Sequence, residues 1–299
     1  MKKDHYKSGF VSIIGVPNVG KSTLLNQIAG QKIAIISDKP QTTRNKILAI
    51  HTTDTEQIVF TDTPGIHKPH NRLGEYMVRV AKESMTDTDV LLLVVDATKK
   101  IQETERSIAE GLHALGIPCI LVINKVDAVR KETLLPLIAD YSSLYPFEEI
   151  VPISAKTGDG TDLLLDKIKG YLEEGPQFYY EDMVTDQPEK QIAAEIIREK
   201  LLWLLDKEVP HGIAIEVSKM QELSKITNIY VTINCEKASH KGIIIGKGGE
   251  MLKKIGSLAR GDIEKMLDKK VYLELWVRVK PDWRNNNYLM KNFGFGENE

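Results

Sequence analysis

The stretch Gly15–Ser22, with the letters GVPNVGKS, constrains this chain more than any other part of it. The apolar run Phe10–Ile14 precedes it and the helix-like Thr23–Ala29 follows, which predicts a strand, a glycine-rich turn and a helix start. Backbone N–H groups in such a turn surround an anion at the positive end of the helix. Lys21 adds a charge for the β- and γ-phosphates, and the Ser22 hydroxyl suits Mg²⁺. We therefore predict a phosphate-binding loop rather than a glycine turn that merely connects strand to helix.

Composition and charge narrow the class of protein. A chain of 299 residues predicts about two domains, and 42% hydrophobic with 27% charged residues is ordinary for a globular protein. The net charge is −2, so any surface for nucleic acid must be local. Cys119 and Cys235 are expected to be buried free thiols, which suits a reducing cytosol. We expect no signal peptide and no membrane span, because no apolar stretch is long enough for either.

Two further motifs complete the predicted phosphate site. Asp62–Gly65 (DTPG) directly follows the predicted strand Gln57–Phe60. Its carboxylate can hold a water of Mg²⁺, and its glycine N–H can meet a γ-phosphate. A threonine in the polar segment after the phosphate loop can reach Mg²⁺ and order that segment around a bound triphosphate. We favour Thr43 for this role, with Thr42 as the alternative.

Two later motifs predict selection of the base. Asn124–Asp127 (NKVD) and Ser154–Lys156 (SAK) each follow a short apolar run. The Asp127 carboxylate can accept hydrogen bonds from the guanine N1–H and amine, which adenine cannot supply. The asparagine would hold neighbouring loops and the base edge, the lysine stem would pack along the ring, and the Ala155 N–H would meet the guanine carbonyl oxygen. We therefore predict a site for GTP and GDP.

Each of these motifs ends a predicted strand, and ligands bind at that edge of an open α/β sheet. We predict a mostly parallel sheet with helices on both faces. The residues predicted to bind the nucleotide are Gly15, Pro17, Asn18, Val19, Gly20, Lys21, Ser22, Thr23, Asp62, Thr63, Pro64, Gly65, Asn124, Lys125, Asp127, Ser154, Ala155 and Lys156. Those predicted to hold Mg²⁺ are Ser22, Thr43 and Asp62, and those assigned to catalysis are Lys21, Asn18, Thr43 and Gly65.

Together these stretches resemble the five G-motifs of translation-factor-type GTPases, which implies GTP hydrolysis in a P-loop domain. Ile66 stands where Ras-type enzymes carry a glutamine that positions the attacking water. In GTPases that lack this glutamine, an asparagine at the place of Asn18 is associated with a potassium ion beside the phosphates. The alternative is that Asn18 only caps the loop. His67 and His70, in the same region, are expected to be solvated residues rather than a metal pair.

A second unit is predicted beyond Gly175-Pro176. We place the first domain at 1–175, a linker at 176–188 that docks through Phe178, Tyr179 and Tyr180, and the second domain at 189–299. The patterns of the second domain predict these elements in turn: helix Glu189–Leu205, strands Ile213–Val217 and Ile226–Asn234, helix Met251–Leu267 and strand Val271–Val279. In its tail, Trp283, Tyr288 and Phe293 either pack the domain or stack on bases, and packing is the default.

The sequence Gly246–Gly249 (GKGG) stands between an apolar run and a helix, within a locally basic segment. Such a loop can clamp the backbone of single-stranded RNA while the bases lie across an adjacent apolar groove. The segment resembles an α+β KH domain of type II, read here in the order α-β-β-α-β. The residues predicted to bind RNA are Lys241, Ile245, Gly246, Lys247, Gly248, Gly249, Lys253 and Lys254.

A GTPase unit followed by a KH unit resembles the Era family across nearly the whole chain, including the letters QTTR at Gln41–Arg44 and the helix Ala193–Lys200. The resemblance implies a GTPase that binds near the 3′ end of 16S rRNA and acts in assembly of the 30S subunit. It also implies a cytoplasmic protein with peripheral contact with the inner membrane, and we expect a monomer.

Two rival functions stay open at this point. One is an RNA-binding scaffold whose nucleotide site binds without a hydrolysis-coupled role. The other is a GTPase whose second domain binds a protein or DNA instead of RNA.

Overall fold

The structure, a computed structural model, describes residues 5–296. These residues form two compact units. The first comprises the described residues up to Ala34, Thr43–Lys68 and Met77–Asp186. The second comprises Ile35–Thr42, Pro69–Tyr76 and the residues from Gln187 onward. Two short segments from the first half of the sequence therefore belong to the second unit, which the sequence patterns do not predict.

The first unit is an α/β fold. Its strands are β1 (Lys7–Ile14), β2 (Ile47–Thr52), β3 (Glu56–Asp62), β4 (Val90–Asp96), β5 (Cys119–Asn124), β6 (Glu149–Pro152) and β7 (Glu173–Glu174). The helices in this half of the sequence are α1 (Lys21–Ala29), α2 (Arg72–Glu83), α3 (Glu103–Leu112), α4 (Leu134–Ser142) and α5 (Thr161–Tyr171).

The sheet of the first unit runs in the order β2-β3-β1-β4-β5-β6, with β7 paired to β1. The contacts from β3 to β6 are parallel, while β2 and β7 run antiparallel to their neighbours. Every residue of β4 and β5 is buried, because these central strands are covered on both faces. The mostly parallel sheet predicted from the apolar runs is confirmed. Its carboxyl edge brings together the ends of β1, β3, β4, β5 and β6.

The segment 176–186 packs on the first unit. Phe178 lies 4.8 Å from Phe10 between ring centroids, and the N–H groups of Phe178 and Tyr179 donate to Gln57 Oε1 at 2.7 and 2.9 Å. Tyr180 is 81% exposed, so the expectation that this ring also docks is wrong.

The second unit is an α+β fold. Its elements are α6 (Glu189–Leu204), β8 (Ile213–Glu222), β9 (Ile226–Cys235), α7 (Ala238–Ile245), α8 (Glu250–Leu267), β10 (Lys270–Val279) and α9 (Asn287–Asn292). The sheet order is β10-β9-β8, with β9 parallel to β10 and antiparallel to β8. The helices α6 and α8 bury apolar side chains against this sheet, including Ile197, Ile255 and Ile263.

From α6 to β10 the order of elements is α-β-β-α-α-β, so the order predicted from the sequence omits helix α7. The run Ile243–Ile245 is rich in β-branched residues, which have low helix propensity. Tertiary packing overrides that preference here, since Ile244 is fully buried in the core.

Both cysteines are free and buried, as predicted. Among the residues that the structure describes, no helix is long and apolar enough to cross a bilayer.

Candidate functional site

The phosphate loop joins β1 to α1. Gly20, the residue before α1, has φ +101°, and a Cβ atom there would lie 2.2 Å from Asn124 Nδ2. Only glycine permits this backbone conformation together with such close packing. No side chain caps the start of α1, so the first N–H groups of the helix stay available to an anion.

Lys21 is the first residue of α1, and its side chain turns back into the loop. Its Nζ donates to the carbonyl oxygens of Gly15 at 3.1 Å and Val16 at 3.0 Å. Burial lowers the pKa of Lys21 to about 8, and the charge of Asp62 opposes this shift. The ammonium is thus buried, and the negative charge of a bound phosphate would stabilise its protonated form.

Ser22, Thr43 and Asp62 form a cluster of oxygen donors. The Ser22 Oγ lies 2.6 Å from Asp62 Oδ2 and 2.9 Å from Thr43 Oγ1, and Thr43 Oγ1 donates to Asp62 Oδ2 at 3.3 Å. The other carboxylate oxygen, Asp62 Oδ1, is buried and has no hydrogen-bond partner among the described residues. Burial raises the pKa of Asp62, while the charge of Lys21 and the hydrogen bonds from Ser22 and Thr43 oppose this shift.

This donor set fits Mg²⁺. The ion prefers oxygen ligands and retains waters, so it needs one or two carboxylates plus substrate phosphates rather than a full protein cage. Ser22, Thr43 and Asp62, the three side chains predicted to bind Mg²⁺, lie within hydrogen-bond distance of one another. Thr42, the alternative to Thr43, donates its hydroxyl to Lys39 O at 2.6 Å and does not join this cluster.

The Asp62–Gly65 segment lies directly against the phosphate loop. A Cβ atom on Gly65 would stand 2.8 Å from the Pro17 backbone, and the Ile66 N–H donates to Gly15 O at 3.2 Å. Thr63 uses its hydroxyl to bond Ile13 O at 2.9 Å, so its side chain supports β1.

His70 is exposed, as expected, but His67 is only partly exposed. Its Nδ1 lies 2.7 Å from Gly65 O, and its Nε2 is buried without a hydrogen-bond partner among the described residues. The expectation that both histidines are solvated is therefore wrong for His67. No cluster of metal-binding His, Cys, Asp or Glu side chains occurs within residues 5–296.

The base-selection motifs meet beside the phosphate loop. Asn124 Nδ2 donates to Val19 O at 2.8 Å, and its Oδ1 accepts from the Ala155 N–H at 2.9 Å. Ser154 Oγ donates to Asp127 Oδ1 at 2.7 Å. Asn124 thus joins three loops, and the Ala155 N–H that was predicted to meet guanine donates to Asn124 Oδ1.

Asp96 is a residue of this site that the sequence reasoning missed. It ends β4, and its Oδ2 accepts from Lys125 Nζ at 2.7 Å. Lys125 Nζ also donates to Asn18 O at 2.8 Å, so this lysine ties the base motif to the phosphate loop. The sequence signal available for Asp96 was an acid at the end of an apolar run, without the motif letters that follow Asp62.

The loop Gly246–Gly249 follows α7 and precedes α8. Gly246, Gly248 and Gly249 have φ values of +75°, +60° and +85°. A Cβ atom on Gly246 would lie 2.7 Å from Met251 Cβ. Lys247 and Gly248 are exposed at the tip, so this backbone is open to a ligand.

A groove of about 450 Å³ runs beside this loop between α8 and β10. Its lining residues combine apolar and basic side chains: Gly249, Leu252, Lys253, Gly256, Ser257, Arg260, Leu273 and Leu275. Lys253 was predicted to bind RNA, whereas Arg260 was not named. Lys254 is exposed outside the groove lining, Ile245 is partly buried, and Lys241 lines a different groove.

The C-terminal aromatic residues mostly pack within the second unit. Trp283 is fully buried, donates Nε1–H to Gly212 O at 2.9 Å, and contacts Phe293 at 5.5 Å between ring centroids. Tyr288 is 74% exposed, so packing does not explain it.

Comparison with known proteins gives close matches over the whole chain. Residues 10–125 match the family described as 50S ribosome-binding GTPase, and residues 208–284 match the KH domain. GTPase Era of Ruminiclostridium cellulolyticum is 56% identical over 98% of this chain and 99% of its own length. GTPase Era of Alkaliphilus metalliredigens is 54% identical over 97% of this chain and 99% of its own length.

Two solved structures are similar throughout. A crystal structure of Era in complex with MgGDPNP and nucleotides 1506–1542 of 16S ribosomal RNA has a TM-score of 0.95 and 42% identity, covering 98% of this chain and 100% of that one. A variant of Aquifex aeolicus Era bound to GDP.AlF4− has a TM-score of 0.94 and 42% identity, covering 97% of this chain and 100% of that one.

Proposed function

We propose a function for this chain, which belongs to the Era family of GTPases: it binds GTP and GDP with Mg²⁺, hydrolyses GTP, and binds the 3′ region of 16S rRNA in assembly of the 30S subunit. The observation that carries the enzymatic part is the cluster of Ser22, Thr43 and Asp62, with its buried orphan oxygen, beside the buried Lys21. The observation that carries the RNA part is the exposed glycine loop at Gly246–Gly249 beside a basic and apolar groove.

The chain's own residues account for phosphate binding. Ser22, Thr43 and Asp62 would hold Mg²⁺, which when bound bridges phosphate oxygens and neutralises developing charge. Lys21 holds a positive charge at the β- and γ-phosphates, and the N–H groups of the loop surround them. Gly65 allows the backbone after β3 to approach the loop, so its N–H can meet the γ-phosphate.

Hydrolysis by this site alone should be slow. The residue after Gly65 is Ile66, which can neither orient a water nor take a proton. We assign a potassium ion to the charge-stabilising role, with Asn18 as the residue that supports it. Asn18 has φ +67° and offers its carbonyl oxygen to Lys125, so it is placed at the mouth of the loop. The competing view, in which Asn18 only shapes the loop, predicts equal turnover in Na⁺ and K⁺.

The nucleotide state is coupled to the RNA-binding unit through the segments that flank the catalytic loops. Ile35–Thr42 immediately precedes Thr43 and belongs to the second unit. There the Glu199 carboxylate accepts the Ile36 N–H at 3.0 Å, and Trp203 Nε1 donates to Ile36 O at 2.9 Å. Arg198, which is 2% exposed, donates to the carbonyl oxygens of Gln41 and Thr42.

The segment Pro69–Tyr76, which follows Gly65, also belongs to the second unit. Arg72 donates to Asn287 Oδ1 at 3.1 Å, and the rings of Tyr76 and Phe295 lie 6.1 Å apart, all within the second unit. When Thr43 and Gly65 bind a triphosphate, the neighbouring segments Ile35–Thr42 and Pro69–Tyr76 move with them. GTP hydrolysis releases these constraints and thereby changes RNA affinity.

The proposal is tested by measuring affinity in both directions. RNA affinity is measured with a non-hydrolysable GTP analogue and with GDP, and nucleotide affinity with and without RNA. Both ratios must equal the same factor. The scaffold rival predicts that Ser22→Ala leaves all RNA-linked effects intact. The protein- or DNA-binding rival predicts that Lys247→Asp with Gly248→Asp leaves partner binding unchanged.

We further assign the chain to the cytoplasm as a monomer with peripheral contact with the inner membrane. Two buried free thiols agree with a reducing compartment. For the sequence as a whole we keep domain boundaries at 1–175, 176–188 and 189–299. Limited proteolysis in the 176–188 segment tests these boundaries.

A further inference from the structure

An exposed aromatic face lies on the edge strand β10. Tyr272, Glu274 and Trp276 alternate along this strand and so share one face of the sheet. Tyr272 is 48% and Trp276 63% exposed. An exposed tryptophan on a regular strand contributes little to the core, which leaves its ring faces available to a ligand.

Glu274 fixes both rings. Its Oε1 accepts the Trp276 Nε1–H at 3.0 Å, and its Oε2 accepts the Tyr272 hydroxyl at 3.2 Å. Tyr230 on the neighbouring strand packs edge-on against Tyr272, with 6.2 Å between ring centroids. The polar atoms of these rings are therefore already bonded, and the rings are ordered before any ligand arrives.

A second groove, of about 540 Å³, opens beside Trp276. It is lined by Thr232, Lys241, Trp276, Val277, Arg278 and Val279. Neither Lys241 nor Arg278 forms an ion pair with a described residue, so two cations flank an aromatic ring. Proteins commonly bind single-stranded nucleic acid with this combination, in which the cations contact phosphates and a base stacks on the ring.

The second groove borders the same strand as the first. Leu273 and Leu275 line the groove beside Gly246–Gly249, and the next four residues of β10 line the groove with Trp276. Lys241 lies on α7, which leads directly into the glycine loop. An extended strand advances about 3.3 Å per residue, so the parts of β10 that line the two grooves lie about 10 Å apart along the strand, with Leu275 and Trp276 on opposite faces of the sheet.

We propose that Trp276, with Lys241 and Arg278, forms a second RNA subsite that stacks a base beyond those held at the glycine loop. This rests on the proposed RNA-binding function and extends the footprint of the second unit. A peptide strand pairing with the open edge of β10 is the competing occupant. The two unpaired cations and the pre-ordered indole favour RNA, because edge pairing uses backbone groups and requires neither.

The test compares two RNAs from the 3′ end of 16S rRNA. One is a tetranucleotide that fills only the glycine-loop groove, since KH domains clamp four backbone nucleotides. The other is the same sequence extended at both ends. Trp276→Ala should weaken binding of the extended RNA by about 5- to 150-fold, because stacking contributes about 1–3 kcal/mol per base. Binding of the tetranucleotide should stay unchanged.

Matched variants separate stacking from folding. Trp276→Phe keeps an aromatic face and should recover most of the affinity, whereas Tyr180→Ala removes an exposed aromatic ring from the first unit and should have no effect. Unchanged affinity of Trp276→Ala for the extended RNA overturns the subsite while leaving the glycine-loop function intact. If the unaltered protein binds neither RNA, the proposed function itself fails. Loss of binding to purified 30S subunits with normal RNA affinity would assign the face to a ribosomal protein instead.

Discussion

We propose that nucleotide choice depends on Asp127. One of its carboxylate oxygens accepts from Ser154, which orients the group for a base edge with two donors. Asp127→Asn replaces one acceptor with a donor, so it clashes with the guanine N1–H and amine and suits a base with a carbonyl oxygen in place of the amine. We expect GTP affinity to fall by 10³-fold or more, on the order of the penalty for unpaired polar groups, and xanthosine triphosphate affinity to rise. Competition binding measures both, and an equal loss for the two nucleotides would contradict this role.

Lys21 gives the stability of the nucleotide-free protein a specific pH dependence. Its pKa in the folded state is about 8, against 10.5 for an ordinary lysine. Above pH 8 the folded protein releases this proton while the unfolded chain keeps it, so the free energy of unfolding rises with pH. Relative to Lys21→Met, the native protein should gain about 1–2 kcal/mol between pH 8 and about pH 9.5. Urea unfolding of both proteins measures the difference, and a constant difference would show that Lys21 is not desolvated.

The roles of residues were predictable where the functional side chains occur at a fixed spacing in one motif. Gly15–Ser22 and Asn124–Asp127 are contiguous motifs, so their letters alone predicted which side chains would converge. Asp96 was not predicted, because a single acid at the end of a strand has no characteristic neighbours in sequence. Its partner Lys125 becomes apparent only when β4 and β5 pair in register, which places Asp96 beside Asn124.

At the scale of elements, the glycine loop between α7 and α8 requires its unusual backbone. Gly246 combines φ +75° with ψ 175°, a region that essentially only glycine occupies, and Met251 leaves no space for a Cβ atom. Gly246→Ala should therefore cost on the order of 1–3 kcal/mol in loop stability and weaken RNA binding. GTP affinity should not change. Gly261→Ala is a suitable control, because this glycine lies inside α8 and a Cβ atom there has no neighbour within 4 Å beyond the backbone of its own helix.

In the proposed coupling, helix α6 holds Ile35–Thr42, the segment that precedes Thr43. Trp203 is 51% exposed, so Trp203→Phe removes its hydrogen bond to Ile36 O with little effect on packing. A hydrogen bond contributes about 0.5–1.5 kcal/mol, so the ratio of RNA affinities in the GTP and GDP states should shrink by about 2- to 12-fold. Filter binding in both nucleotide states measures this ratio. Tyr288→Phe serves as the control, and an unchanged ratio in Trp203→Phe would show that Ile35–Thr42 does not transmit the signal.

Element boundaries were mostly predictable, while two features were not. The apolar run before Gly246 forms helix α7 because packing around Ile244 outweighs its β-branched composition. The membership of Ile35–Thr42 in the second unit depends on hydrogen bonds to residues more than 150 positions away in the chain, such as Ile36 with Glu199. Local sequence patterns cannot predict pairs of residues that are so far apart in the chain.

At the scale of the whole molecule, the first unit lacks a side chain after Gly65 that could position the attacking water. Because Ile66 cannot position a water, we expect turnover to depend on a cation or on a partner. Replacing Na⁺ with K⁺ should raise the rate of GTP hydrolysis at least several-fold, and Asn18→Ala should abolish that increase while nucleotide affinity is largely retained. Steady-state phosphate release measures the rate. Equal rates in the two salts would leave Asn18 with only the role of shaping the loop.

The central claim is that RNA at the second unit controls GTP hydrolysis at the first. The most direct test is GTP turnover in K⁺ buffer with and without a short RNA that carries the 3′ sequence of 16S rRNA. We expect a clear rise in turnover that disappears in Lys247→Asp with Gly248→Asp, a pair of changes remote in sequence from every nucleotide motif. Turnover that stays constant while RNA is bound tightly would contradict the claim, and the two units would then act independently.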